Sequence, residues 1–193
     1  PLPEAPNTWA DLLALLAQAE RRCTPCGDGE VVWHRWGVGA PLVLLHGGSG
    51  SWTHWVRNIA ALAEAGHSVW VPDLPGFGDS DPPPDGHDAD VMPPLLEQGL
   101  TTLLGTTPVD LIGFSFGGMT ASLWAAAHPA RVCRLLLLGA PGLGIQRAQP
   151  LDLRMWSHLP EGAPREAVMR HNLLALMLQH PASVTDLVLR MQA

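Results

Sequence analysis

Four short runs of apolar residues, none of which alternates with polar ones, constrain the fold of this 193-residue chain most strongly. They lie at residues 42–45, 68–71, 109–112 and 132–138. Runs of this kind are typical of strands that are buried on both faces, as in a parallel sheet. Helical patterns at 52–65, 91–104 and 119–128 separate them. This alternation predicts a doubly wound α/β fold with a mostly parallel sheet.

Two earlier signals add elements before the first run. Thr8, followed by Asp11 three residues later, predicts the capped start of a helix. Asp28-Gly29 predicts a hairpin that joins a strand at 22–26 to one at 31–36. With these, residues 1–142 are expected to hold strands 1 to 6 of the core. We expect Cys133 to be buried within the last of these strands, and His34 to have a solvent or capping role.

Three motifs follow the apolar runs, at a distance of no more than one residue. The first run is followed by H-G-G-S-G-S-W at 46–52, the second by D-L-P-G-F-G-D-S at 73–80, and the third by G-F-S-F-G at 113–117. Functional loops of a parallel sheet lie at the carboxyl ends of its strands. The three motifs are therefore expected to meet at one edge of the sheet.

The motif at 113–117 predicts that Ser115 is a nucleophile. A sharp turn between a strand and a helix holds such a serine in a strained conformation with its hydroxyl exposed. The neighbours two residues away must be small, and Gly113 and Gly117 meet that requirement. The first N–H groups of the following helix, including that of Phe116, then point to where negative charge develops during acyl transfer.

Composition restricts what can activate this serine. The chain contains neither Lys nor Tyr, so within it neither a Ser-Lys dyad nor a tyrosine base is possible, and the base must be a histidine. His46 stands in a suitable loop, but we interpret it as a structural part of that loop. Asp73 and Asp79 are interpreted as turn residues whose side chains bond local backbone. His54 lies beyond the first glycine-rich loop and is a candidate for lining the pocket.

The three motifs together resemble those of the α/β-hydrolase fold family, in its cap-bearing esterase and carbon-carbon hydrolase branch. The resemblance covers residues 8–145 and implies an oxyanion hole formed by the backbone N–H groups of Phe116 and Gly48. It also implies a substrate pocket near the same loop, for which the candidates are Gly47, Ser49, Trp52 and His54. The implied substrate is a small ester or a carbon-carbon bond in a diketone-like acid. Serine at 115 speaks against the dehalogenase and epoxide hydrolase branches, which the resemblance associates with aspartate.

After residue 142 the pattern becomes helical, with predicted helices near 151–158, 165–180 and 183–191. The resemblance implies that 143–193 are part of a helical cap inserted after the sixth strand. In this family the acid and the histidine of the triad follow strands beyond the cap. No such strand is present, so we expect a carboxyl-terminal truncation and negligible turnover by these 193 residues. A non-catalytic ligand-binding relative, or an interaction module, is the alternative.

The remaining expectations concern partners and location. The net charge is −7 and the 11 basic residues are scattered, which argues against a nucleic-acid surface. No apolar run reaches the roughly 18 residues of a membrane span, and no signal peptide is visible, so we expect a cytoplasmic protein. Cys23 and Cys26 form a single C-x-x-C without a second pair, so neither a metal nor a cofactor is expected. The oligomeric state is left open.

Overall fold

The structure is a computed structural model, and it describes residues 4–144 and 151–192. The chain divides into two compact units, Pro1–Gly144 and Ile145–Ala193. The first unit contains a six-stranded mixed sheet in the order β1-β2-β4-β3-β5-β6. The strands are β1 (Glu20–Cys26), β2 (Gly29–Trp36), β3 (Ala40–Leu45), β4 (His67–Pro72), β5 (Val109–Phe114) and β6 (Val132–Leu138).

Helices connect these strands as the apolar pattern predicts. They are α1 (Trp9–Leu16), α2 (Ile59–Glu64), α3 (Met92–Leu104) and α4 (Phe116–Ala127), with short 3-10 turns at Trp52–Trp55 and Pro129–Arg131. The predicted capping box is confirmed, because the Thr8 hydroxyl accepts from the Asp11 N–H while the Asp11 carboxylate accepts from the Thr8 N–H. The single helix predicted at 52–65 was wrong: the chain makes one 3-10 turn and then begins α2.

The pairing of the strands confirms a mostly parallel sheet. β3 pairs in parallel with β4 and with β5, and β5 pairs in parallel with β6. β1 and β2 form the predicted antiparallel hairpin, with Cys26 opposite Gly29. Its two-residue turn is therefore Gly27-Asp28 rather than Asp28-Gly29. Since β3, β4 and β5 run in the same direction, the loops that follow them lie at one edge of the sheet.

The hydrophobic core lies on the central strands and beneath α3 and α4. Val43, Leu45, Val109 and Leu111 are buried there together with Trp124. β6 is different, because it is an edge strand among the described strands and most of its residues are exposed. Leu136 is 50% exposed. The expectation that this run is buried on both faces was wrong, and Cys133 is exposed rather than buried.

The second unit is helical in its described part. It contains α5 (Ala163–Leu176), a 3-10 turn at Pro181–Ser183 and α6 (Asp186–Gln192). Met169, Leu173, Val184 and Leu189 form its own small apolar cluster. The helix predicted near 151–158 is not present: residues 151–156 are irregular, and a turn follows them.

Candidate active site

Ser115 occupies a strained turn between β5 and α4. Its φ is 51° and its ψ is −114°, a combination that residues with a side chain rarely adopt. Strain of this kind costs about 1 to 3 kcal/mol and concentrates at functional sites. The Ser115 N–H donates to the Leu138 carbonyl on β6 at 2.9 Å, which holds the turn in place. The hydroxyl makes no capping hydrogen bond with α4, so it is not occupied by the helix that it precedes.

The two flanking glycines have no room for a side chain. A Cβ on Gly113 would lie 2.7 Å from the Cα of Gly118, and a Cβ on Gly117 would lie 2.6 Å from the carbonyl carbon of Leu45. Both contacts are with backbone, which cannot move away without shifting the helix or the strand. The spacing of the G-x-S-x-G motif is thus explained by close packing of the turn against β3 and α4.

The glycine-rich loop that follows β3 lies directly against this turn. A Cβ on Gly47 would lie 2.9 Å from the ring of Phe114 and 3.3 Å from the Cβ of Ser115. Gly48 is the next residue, and a Cβ there would lie 3.7 Å from the Cβ of Phe116. The structure therefore brings both sequence-predicted oxyanion donors, Gly48 and Phe116, next to Ser115.

Among the described residues neither donor N–H has a hydrogen-bond partner, so each can bind a substrate oxygen. Phe116 is the first residue of α4, where backbone N–H groups have no intrahelical carbonyl to bind. The Gly48 N–H has no hydrogen-bond partner within residues 4–144 and 151–192, and Gly48 is exposed. Two backbone donors beside a strained serine can stabilise an oxyanion that forms on an attacked carbonyl.

His46 is fully buried, and backbone groups engage both of its ring nitrogens. Nε2 accepts from the Leu74 N–H at 2.9 Å, so the proton is on Nδ1, which donates to the Gly47 carbonyl at 2.8 Å. Burial lowers the pKa of His46 to about 4. The ring is neutral and has no free nitrogen with which to take a proton from Ser115, in agreement with its interpretation as a structural residue.

Asp73 joins the glycine-rich loop to the loop that follows β4. One carboxylate oxygen accepts from the Trp52 N–H at 2.7 Å, and the other accepts from the Asp79 N–H at 2.9 Å. The Ser80 hydroxyl donates to the Asp73 carbonyl and accepts from the Val32 N–H. Burial raises the pKa of Asp73 to about 6, although the two N–H donors act in the opposite direction. The bond to Asp79 is the local turn contact that the sequence predicts, whereas the bond to Trp52 links two loops.

The pocket candidates occupy different environments. His54 lies over the loop and accepts the Gly47 N–H at its Nδ1, at 3.2 Å. Ser49 is exposed and has a φ of 54°, so the chain bends sharply there. Trp52 is only 5% exposed, because its ring packs against those of His34 and Trp36, which also stack on each other. The structure places Trp52 in an aromatic cluster that anchors the loop. His34 is itself buried in that cluster, so the expected solvent or capping role was wrong.

Two aromatic residues beside the site were not singled out from the sequence. The ring of Phe77 lies 5.4 Å from that of His46 and 5.6 Å from that of Phe116. The ring of Phe114 lies 5.7 Å from that of His54. Phe77 stands between two glycines and Phe114 follows Gly113, so an aromatic residue next to a motif glycine was the available signal. They give the region around Ser115 apolar walls.

Among residues 4–144 and 151–192, no group of three or more His, Cys, Asp or Glu side chains is arranged to hold a metal ion. The helices in those same ranges are all too short or too polar to cross a membrane.

The sequence model of the alpha/beta hydrolase fold family matches residues 40–168. This range includes the three loop motifs, the strained Ser115 and strands β3 to β6. The chain therefore belongs to the alpha/beta hydrolase fold family.

Individual relatives share part of the chain. It is 33% identical over 129 residues to a 2-hydroxy-6-oxo-6-phenylhexa-2,4-dienoate hydrolase of Comamonas testosteroni, a match over 65% of this chain and 45% of the relative. It is 36% identical over 134 residues to a 2-hydroxymuconate semialdehyde hydrolase of Pseudomonas sp. (strain CF600), over 67% and 46%. These matches span about half the length of the curated relatives.

A solved structure shows the same fold. A Vigna radiata epoxide hydrolase mutant superposes with a TM-score of 0.58 at 26% identity, over 63% of this chain and 38% of that one. The proteins that share this fold are named for different activities, so the fold alone does not select a reaction.

Proposed function

We propose that the protein is a serine hydrolase that acts by acyl transfer, with Ser115 as the nucleophile. The observation that carries the proposal is the strained backbone of Ser115 beside the Gly48 N–H and the Phe116 N–H, two donors that have no partner in the part of the chain that the structure describes. A serine held in this way costs stability, and a site that only bound ligands would gain nothing from that strain. The relatives named above, which are all called hydrolases, support the same class of reaction.

We propose a ketone with a cleavable carbon-carbon bond as the preferred substrate, and a small ester as the second. The compound named for the Comamonas relative, 2-hydroxy-6-oxo-6-phenylhexa-2,4-dienoate, contains no ester or amide. Its hydrolysis must therefore break a carbon-carbon bond next to the 6-keto group. The apolar walls formed by Phe77 and Phe114 are compatible with a conjugated or aromatic substrate.

In the proposed reaction the Ser115 hydroxyl gives its proton to a histidine and its oxygen adds to the substrate carbonyl. The carbonyl oxygen becomes an oxyanion, which accepts from Gly48 N–H and Phe116 N–H. Each such donor is worth about 2.7 to 4 kcal/mol in the transition state. The bond to the leaving group then breaks, and the histidine returns its proton to the oxygen or carbon atom that departs. The same histidine then takes a proton from water, which releases the acyl group from Ser115 as an acid. The histidine base is not His46, because backbone groups engage both of its ring nitrogens. His54 cannot take the proton at Nδ1 either, because that nitrogen already accepts the Gly47 N–H.

The second unit has a proposed role of its own. We assign residues 143–193 to a cap that shapes substrate specificity, as the resemblance implies. If the cap shapes specificity, substitutions on the exposed faces of α5 and α6 are expected to change substrate preference. They are not expected to unfold the first unit, because the described helices of the second unit have their own apolar cluster.

The proposal is tested with the full-length protein that the gene encodes and with the Ser115→Ala variant of that protein. Both are assayed with 2-hydroxy-6-oxo-6-phenylhexa-2,4-dienoate and with 4-nitrophenyl butyrate. We expect the wild type to hydrolyse at least one of them and the variant to lose about 10⁴-fold or more in kcat. Unchanged circular dichroism shows that the fold is kept. Activity that survives in the variant would exclude Ser115 as the nucleophile, and a wild type that binds but never hydrolyses these compounds would favour a ligand-binding relative.

A further inference from the structure

His46 and His54 engage opposite sides of the same glycine. The Gly47 N–H donates to His54 Nδ1 at 3.2 Å, and the Gly47 carbonyl accepts from His46 Nδ1 at 2.8 Å. The two rings meet edge to face, with centroids 6.1 Å apart. Each histidine thus holds one of the two peptide groups that flank Gly47.

The direction of the Gly48 N–H follows from this arrangement. A peptide group is planar, and no cis peptide bond occurs in the described residues, so the Gly47 carbonyl and the Gly48 N–H point in opposite directions. His46 is fully buried, so it draws that carbonyl towards the buried side of the loop. The Gly48 N–H consequently points away from the His46 ring. A Cβ on Gly48 would lie 3.7 Å from the Cβ of Phe116, so this donor stands beside the start of α4.

We propose that His46 and His54 are positioning residues that clamp Gly47 from both sides and thereby aim the Gly48 N–H at the substrate oxygen. This inference rests on the proposed function, because it assigns the clamp to the oxyanion hole of that site. A glycine pair without side chains is intrinsically flexible, so an oxyanion donor at Gly48 needs such external fixation to be preorganised.

The hydrogen bonds also define the tautomer of each ring. His54 accepts at Nδ1, so its proton is on Nε2, whereas His46 accepts at Nε2, so its proton is on Nδ1. Gly50 makes room for the His54 ring, because a Cβ at this position would lie 2.6 Å from His54 Nδ1. Only glycine therefore allows the imidazole to lie across the loop. Burial lowers the pKa of both rings, which keeps them in these neutral forms.

The test compares two substitutions of His54 in the protein as encoded. His54→Asn places an amide oxygen near the position of Nδ1 and can still accept the Gly47 N–H, whereas His54→Leu has a similar volume and no acceptor. We expect His54→Leu to lower kcat by about 100-fold with little change in KM, since a misaimed donor weakens the transition state only. His54→Asn is expected to stay within about 5-fold of the wild type.

An inhibitor gives a second readout of the clamp. A trifluoromethyl ketone forms an oxyanion on Ser115, whereas the corresponding alcohol does not. His54→Leu should weaken binding of the ketone and leave binding of the alcohol unchanged. If both His54 variants lose ketone binding equally, the clamp is overturned, because the imidazole itself would then be needed. If both variants bind the ketone as tightly as the wild type, the clamp is overturned as well.

A third readout does not depend on activity. Imidazole ¹⁵N shifts of the labelled protein should show His54 protonated at Nε2 and His46 protonated at Nδ1. The opposite tautomer at either ring would overturn the proposal. If Ser115→Ala keeps its activity, the proposed function fails. If Ser115→Ala loses activity and His54→Leu does not, only the clamp fails.

Discussion

Ser115 has an unfavourable backbone conformation that its position in the chain imposes. Its N–H is bound to the end of β6, its carbonyl accepts the N–H groups of Gly118 and Met119, and Gly113 and Gly117 pack with no space around them. The surrounding structure therefore determines the turn more strongly than the serine itself does. A residue that tolerates positive φ should fit this position better than the one that is present.

We predict that Ser115→Gly unfolds with a free energy about 1 kcal/mol higher than Ser115→Ala. Both variants lack the hydroxyl, but only glycine relieves the strain, and part of that gain is offset by its greater freedom in the unfolded chain. Urea denaturation at pH 7 measures the difference. An alanine variant as stable as the glycine variant would show that the turn is not strained.

At the scale of elements, Glu97 fixes α3 to α4 and to the turn that leads into β6. Its carboxylate accepts from Trp124 Nε1 at 2.9 Å and from an Arg131 N–H at 2.8 Å. Arg131 is only 8% exposed, and two of its other nitrogens have no partner among the described residues. Glu97 is thus the acceptor that compensates the burial of this guanidinium.

Replacement of Glu97 by alanine is expected to lower the free energy of unfolding by about 2 to 3 kcal/mol, because Arg131 would remain buried without its carboxylate. Glu64→Ala, at an exposed position on α2, is the matched control and should change stability by less than about 0.5 kcal/mol. Chemical denaturation of both variants measures this. Equal effects would mean that Glu97 contributes no more than a surface carboxylate.

The elements also show which features the sequence could predict. The turn at Ser115 was predictable because its glycines, its strand and its helix are neighbours in the chain. The exposure of β6 was not predictable, because an apolar run does not reveal which of the described strands will lie at an edge of the sheet. The contacts Asp73 to Trp52 and His54 to Gly47 were not predictable either. They depend on the pairing of β3 with β4 and on a 3-10 turn where a longer helix was expected.

For the whole molecule, the buried ionisable groups around the loop link stability to pH. Burial lowers the pKa of His46 and of His54 from 6.5 to about 4. The unfolded chain therefore binds more protons than the folded one between these values, and stability is lost as the pH falls from 6.5 towards 4. Asp73 has the opposite sign, since its raised pKa of about 6 makes the folded state bind more protons.

A difference between variants isolates one of these contributions. Between pH 7 and pH 5, the wild type should lose about 2 kcal/mol more stability than His54→Asn, because only the wild type has to keep this imidazole neutral. Urea denaturation of both proteins at the two pH values measures it. His87→Asn, at an exposed position, is the control. Parallel losses in the wild type and His54→Asn would contradict the burial of a neutral ring.

The occupied nitrogens of His46 also determine how a pH–rate profile of this protein should be interpreted. A ring that is neutral down to about pH 4, with both nitrogens bound to backbone, does not change its charge near neutrality. His54, whose Nδ1 is bound to Gly47, behaves in the same way. An inflection of kcat/KM near pH 7 would therefore report another group, and its dependence on the remaining histidines would reveal the residue that takes the proton from Ser115.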